Sequence, residues 1–219
     1  MPLRVAILIS GRGSNMTALA KYAAQDDVPA EIALVLADKP AAGLTVAEEM
    51  GLTTAAILRS DYQNAASHEA AIMNAIDHAK ADVIFLAGYM RLLSAKFCQD
   101  YEGRLFNIHP SLLPRHKGLD THSKALAAGD ETHGCSVHMV SPEMDDGLVL
   151  AQRQVAVSKN DSEESLAAKV LTEEHLLYPA LLGALASGLL AITDGVPEMQ
   201  IGLLPGQISG EKGQMKWPI

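Results

Sequence analysis

The chain predicts an α/β fold with a Rossmann-like, mostly parallel central sheet flanked by helices. Three observations carry that prediction. Short apolar runs recur at 3–9, 31–37, 53–58, 82–87 and 104–108, helical patterning fills the intervals at 14–24, 43–50, 65–79 and 94–100, and a glycine-rich turn directly follows the first run. Strands that alternate with helices pair in parallel, because a parallel connection needs a crossover and the crossover helix then covers the sheet.

Taken in order, Leu3-Arg-Val-Ala-Ile-Leu-Ile9 is nearly continuous in apolar residues, as a strand covered on both faces must be. It is too short for a membrane span or a secretory signal and stops at Ser10-Gly11 without a small-residue cleavage site. In the second half, 133–140 and 148–157 read as two longer strands joined by the polar loop Ser141 to Gly147. Asp161-Ser-Glu-Glu164 opens a long helix from about Ser162 to Ser187, and Pro179 inside it should kink or divide it. Beyond Pro205 glycine, proline and polar residues dominate. The expected organisation is one domain over 1–204 and an irregular tail over 205–219.

Composition narrows the function. At 219 residues and 48% hydrophobic the chain can bury a sizeable core, and with only 4% aromatics that core must be built from aliphatic side chains. A formal net charge of -9 argues against general affinity for nucleic acid or anionic membranes, though a local nest of amides still binds a small anion on an acidic protein. Cys98 and Cys135 sit in no metal or redox motif and read as reduced core residues of a cytoplasmic protein.

Ser10-Gly11-Arg12-Gly13-Ser14-Asn15 joins the first strand to the first helix. Glycines there let backbone N–H groups approach an anion, and the helix N-terminus favours negative charge. The loop lacks the lysine and spacing of a Walker A motif, and the third glycine of a dinucleotide fingerprint, so a phosphomonoester suits it better than a pyrophosphate. The plainer alternative is a tight turn in which Ser14 or Asn15 caps the helix.

Asn107-Ile-His-Pro-Ser-Leu-Leu-Pro114 reads as a strand passing into a rigid loop. Residues two apart on a strand share a face, so Asn107 and His109 project side by side, and Pro110 holds His109 extended. An amide beside an imidazole can stabilise charge on a reacting carbonyl oxygen. The alternative is a strand-end Asn in a turn and a surface His. Five of the eight histidines (109, 116, 122, 133 and 138) fall within 30 residues, but no pair has metal-ligand spacing and no cysteine pair supports them, so no metal is expected. His116 and His133 read as surface loop residues, whereas His122 and His138 either line a pocket or are hydrogen-bonded in the core. Asp145-Asp146-Gly147 serves a turn, or places a carboxylate near His109 to relay a proton.

Together with Leu86-Ala-Gly-Tyr-Met-Arg-Leu-Leu93, His133-Gly-Cys-Ser-Val-His138 and Glu173-Glu-His-Leu-Leu-Tyr-Pro179, these stretches resemble the folate-dependent phosphoribosylglycinamide (glycinamide ribonucleotide) formyltransferases, from residue 3 to about residue 193. The resemblance implies the formyltransferase fold, with phosphate and nucleotide bound by the N-terminal half and the folate and catalytic site completed by the C-terminal half. It implies formyl transfer from 10-formyltetrahydrofolate, as co-substrate, to the amine of glycinamide ribonucleotide in purine biosynthesis. By motif, Asn107, His109 and Asp145 would be catalytic, Gly13, Ser14, Asn15 and Glu174 would hold the ribonucleotide, and Met90, Arg91, Leu92, Leu93, Val140, Ser141 and Asp145 would contact the folate. Small molecules would be its partners, with no nucleic acid and no membrane, and a homodimer is the one assembly left open. Two departures stand out. The family's Asp-Gly-Gly-Pro is here Asp145-Asp146-Gly147-Leu148, and its Pro-Gly-Leu-His-Thr-His is Lys117-Gly-Leu-Asp120-Thr-His122. An acidic residue at 120 is expected to tune the rate.

Overall fold

Strand β1 (Leu3–Ile9) is fully buried from Val5 onward, which places it mid-sheet as its unbroken apolar run requires. The computed structural model describes residues 1–193 and 195–199. After β1 come α1 (Ser14–Ala23), β2 (Ala30–Ala37), α2 (Ala42–Glu49), β3 (Thr54–Ala56), α3 (Ala65–His78), β4 (Val83–Leu86), α4 (Ala95–Asp100) and β5 (Leu105–His109). Then follow α5 (Thr121–Ala128), β6 (Thr132–Met139), β7 (Val149–Ala156), α6 (Glu163–Ala186) and a hairpin of β8 (Leu190–Thr193) and β9 (Val196–Met199). The main sheet has seven strands in the order β3-β2-β1-β4-β5-β6-β7. β1 to β5 pair in parallel, and β6 and β7 add antiparallel.

Alternation along the strands makes two cores. Val5, Ile7, Ile9, Phe85, Phe106 and Ile108 face α1 and α6, where Met16, Leu19, Val170 and Tyr178 meet them. Ala6, Leu8, Ile84, Leu86 and Leu105 face α3 and α4, packing on Ile72, Ile76, Phe97 and Tyr101. The Tyr178 hydroxyl lies 3.1 Å from the Leu86 carbonyl and 3.0 Å from that of Phe106, pinning α6 to β4 and β5.

Pro179 neither ends nor divides α6, which runs 24 residues through it. An interior proline costs a helix about 3 kcal/mol, but Leu177, Tyr178, Leu181 and Leu182 beside it are at most 2% exposed. Full burial of each such side chain contributes roughly 1.5–3 kcal/mol, so packing outweighs the lost hydrogen bond. Two elements escape the sequence reading: α5, which opens on a left-handed Asp120 (φ 58°) without a side-chain cap, and the β8–β9 hairpin. The expected strand 53–58 shrinks to Thr54–Ala56 at the sheet edge. The tail expected over 205–219 lies outside the described residues.

Because β1 lies between β2 and β4, the connections leaving β1 and β4 diverge and open a crevice at their C-terminal ends. Ser10 and Gly88 meet there, the Ser10 N–H donating to the Gly88 carbonyl at 3.2 Å.

Candidate active site

A cleft of about 650 Å³ runs along the C-terminal ends of β4 and β5, within the usual size for small-molecule sites. At one end lies the glycine loop. Gly13 takes a left-handed conformation (φ 76°), and a Cβ there would come within 2.9 Å of Gly43 Cα, so only glycine lets the start of α1 close against α2. Neither Ser14 nor Asn15 caps α1, whose N-cap is Gly13 without a side-chain bond. Asn15 reaches instead across to α6, its Nδ2 donating to Glu174 Oε2 at 2.6 Å while its buried Oδ1 has no partner among the described residues. Burial pushes the Glu174 carboxyl above its ordinary range and the Asn15 bond pulls it back. Asn15 and Glu174 line the cleft, whereas Gly13 and Ser14 lie outside its lining, at the start of the same helix.

Asn107 and His109 share a face of β5 with Leu105. Leu105 is packed against the α3–α4 cluster, and further along the strand the two polar residues line the cleft. The β5–β6 register sets Asn107 opposite His138, and the amide nitrogen lies 3.1 Å from His138 Nε2. Burial pushes the His138 imidazole below its ordinary pKa, so it is neutral at pH 7. Its Nδ1–H donates to the Met139 carbonyl at 2.9 Å, which leaves Nε2 a lone pair to accept from Asn107. The amide is thereby oriented and keeps a second N–H uncommitted to His138. His109, only 5% exposed, donates from Nε2 to the His116 carbonyl at 3.0 Å and faces Asp145 Oδ2 with Nδ1 at 3.4 Å.

Of the two adjacent carboxylates, Asp145 faces the imidazoles, with Oδ1 3.7 Å from His138 Nε2, and Asp146 pairs with Lys117. Asp145 has a left-handed backbone (φ 52°), and its carboxylate accepts the Gly118 N–H at 2.9 Å. Gly147 closes the loop on β6. A Cβ there would fall 1.7 Å from the Met139 carbonyl oxygen. The two departures from the family pattern therefore meet, Lys117 of one loop holding Asp146 of the other across the rim.

Met90, Arg91, Leu92 and Leu93 follow β4 and line the cleft, as do Val140 and Ser141 after β6. Met90 (58% exposed) and Leu92 (76%) are far from core packing, and Leu119 and Met144, which the sequence reading passed over, add two more exposed apolar side chains to the lining. Asp120 lines the cleft too.

The histidine cluster departs from its sequence reading. His133 is 1% exposed rather than a surface residue, because β6 begins at Thr132 and turns it inward, 3.1 Å from His122 Nδ1. Burial is the main force pushing His133 down to about 4 and lowering His122. His116 is half-buried and bonded at 2.7 Å to Asp130, whose carboxyl that bond holds below its usual range, with Arg115 adding to the effect. His138 is at once a cleft residue and a hydrogen-bonded one. Its partnership with Asn107 was hidden because strand register is not written in composition. Cys98 and Cys135 are both buried, and burial pushes their thiols up, away from a reactive thiolate. Among the described residues no three His, Cys, Asp or Glu side chains gather as a metal would need, and no helix is long and apolar enough to cross a membrane.

The chain is similar to known proteins along most of its length. Residues 3–182 match the model of the formyl transferase family. The chain is 38% identical over 206 residues to the phosphoribosylglycinamide formyltransferase of Escherichia coli strain K12, covering 94% of this chain and 97% of that protein. Among solved structures, the phosphoribosylglycinamide formyltransferase of Coxiella burnetii superimposes with a TM-score of 0.89 at 35% identity over the whole of both chains. That of Brucella melitensis gives 0.82 at 50% identity, covering 86% of this chain and 97% of that one.

Proposed function

Since the chain belongs to the formyl transferase family, we infer that it moves the formyl group of 10-formyltetrahydrofolate onto the amine of glycinamide ribonucleotide. The products are formylglycinamide ribonucleotide and tetrahydrofolate, and the step belongs to de novo purine biosynthesis. The observation that carries the reading is the meeting of Asn107, His109 and Asp145 in the cleft that Asn15 and Glu174 also line.

Gly13, Ser14 and Asn15 hold the ribonucleotide phosphate at the start of α1, where amides and dipole favour an anion. Glu174 accepts the ribose hydroxyls. Met90, Arg91, Leu92 and Leu93, with the backbone of Val140, Ser141 and Asp145, form the folate wall. The ribonucleotide amine attacks the formyl carbon, so the enzyme needs no nucleophile of its own. Negative charge develops on the formyl oxygen, and Asn107 meets it with the N–H not given to His138. His109, its Nε2–H fixed on the His116 carbonyl, acts as the imidazolium and donates its Nδ1–H to the same oxygen, with Asp145 beside it as counter-charge. Asp145 takes the proton the amine loses and passes it toward the departing N10 through water. Two substrates held in one cleft supply the rest by proximity.

Residues 1–204 act as one formyltransferase domain in the cytoplasm, with small-molecule partners and a homodimer as the assembly to look for. A net charge of -9 disfavours nucleic acid and anionic membranes. The test is deformylation of 10-formyltetrahydrofolate with and without glycinamide ribonucleotide. Turnover that depends on the ribonucleotide is expected. Equal turnover without it would make the chain a hydrolase, and none in either case a binding protein.

A further inference from the structure

Asp38 is 2% exposed, carries a charge, and has no part in the chemistry above. It follows β2 at the crevice between β1 and β4. Its Oδ1 accepts the Ser10 hydroxyl at 2.6 Å, and its Oδ2 pairs with Arg91 Nε. The Ser10 oxygen in turn accepts the Met90 N–H at 3.0 Å. One buried carboxylate thus binds together the residue just ahead of the glycine loop and two residues of the cleft wall. Burying a carboxylate is expensive unless it is paired and hydrogen-bonded, and the side chains just before it on β2, Leu34 to Ala37, are apolar and equally buried. Simple filling of this position would need no charge.

We propose that Asp38 is a positioning residue for formyl transfer, fixing Arg91 and the 90–93 wall at a set distance from the phosphate loop so that both substrates meet in register. The proposal rests on the reading of Gly13–Asn15 as the phosphate loop and of 90–93 as the folate wall. Asp38 touches neither substrate. It acts through Ser10 on one side and Arg91 on the other. A mis-set wall would weaken folate binding and spoil the approach of amine to formyl carbon, since an ångström of misplacement is costly in a bimolecular transfer.

The experiment uses Asp38→Asn, which keeps the size and can still accept from Ser10 but loses the charge facing Arg91. Steady-state kinetics should show KM for 10-formyltetrahydrofolate raised roughly 10-fold or more, as expected for a charged hydrogen bond, and kcat reduced several-fold. KM for the ribonucleotide should stay within about 2-fold, since Ser10 keeps its acceptor. Arg91→Ala is then measured in both backgrounds. If Asp38 works through Arg91, the second substitution adds little to the first, whereas independent roles would add in full. Unchanged folate KM in Asp38→Asn, full additivity, or equal losses in both KM values alongside a lowered Tm would each overturn the proposal. Should Asp38→Asn fail to fold, Ser10→Ala carries the test, because it removes the acceptor of the Met90 N–H; a folate KM equal to wild type would then sink it. A wild-type enzyme without ribonucleotide-dependent turnover would instead bring down the reading of the reaction, and this proposal with it.

Discussion

The parallel and antiparallel halves of the sheet contribute to the cleft in different ways. In the parallel half, from β3 to β4, the crevice comes from topology, and what it offers an anion is backbone: the amides of the loop after β1 and the start of α1. In the antiparallel half, from β5 to β7, the groups that meet charge are side chains. Residues directly opposite on neighbouring strands face the same way, so Asn107 on β5 is met by His138 on β6. The first half is suited to holding a phosphate, and the second to handling charge and protons. A fold that merely binds needs only the first.

The largest break in this contrast should come from the antiparallel side. Asn107→Ala or Asp145→Ala is expected to lower kcat about 100- to 1000-fold, the usual cost of removing a donor to a developing oxyanion or its proton partner. Thermal melting should be little changed, and near-normal turnover in either variant would refute the assignment. On the parallel side, Gly13→Ala puts a Cβ against Gly43 at a left-handed position. It should cost about 1–3 kcal/mol of stability and raise the ribonucleotide KM at least several-fold, leaving the folate KM near wild type. A rise confined to the folate KM would refute the reading of Gly13–Asn15 as the phosphate loop.

A smaller effect follows from His133, which burial pushes down to about 4 from an ordinary value of 6.5. Below about pH 6.5 the unfolded chain takes up a proton that the fold accepts only near 4, so the unfolded state binds more protons across that window. The fold is therefore unaffected by this group above 6.5 and loses stability as the pH falls toward 4, by about 1–3 kcal/mol. Melting curves between pH 7 and 4.5 should show a shallower decline in His133→Gln than in wild type, and parallel curves would remove His133 from the account. The smallest change belongs to the rim. Lys117–Asp146 is an exposed pair, worth about 0–1 kcal/mol, so Asp146→Gly should alter kcat less than about 3-fold and flatten its dependence on ionic strength. A large loss on Asp146→Gly would mean that the pair, and not the Gly118 N–H, holds Asp145 in place.

Much of this was legible in the chain, and the two halves were legible for different reasons. β1, α1 and the glycine loop announce themselves by continuous apolar runs and local turn chemistry, which depend on neighbours in sequence. Asn107 and His109 could be seen to share a face because that too is local. His138 as the partner of Asn107 and the pairing of Lys117 with Asp146 depend on register and on loops meeting across the cleft, which no window of sequence encodes, whereas Asp145 was chosen over Asp146 by the family motif and not by local chemistry. Pro179 misled in the opposite direction, since its local cost is real and only long-range packing overrides it. Helix α5 was missed because its eight residues bury only Thr121 and Ala125, too few to write an apolar stripe, although Asp120 and Gly129 are both of the capping types.

The acidic loop also divides into a position that evolution can explore and one that it cannot. At 146 the side chain points away to Lys117 and is 59% exposed, so glycine, aspartate or a neutral residue can be sampled there with small changes in rim charge. At 147 any side chain at all would collide with the Met139 carbonyl, on the same strand that carries His138. A substitution is thereby accommodated next to Asp145 and not at Gly147 behind it, so the charge at the mouth of the cleft can change without moving the carboxylate that faces His109.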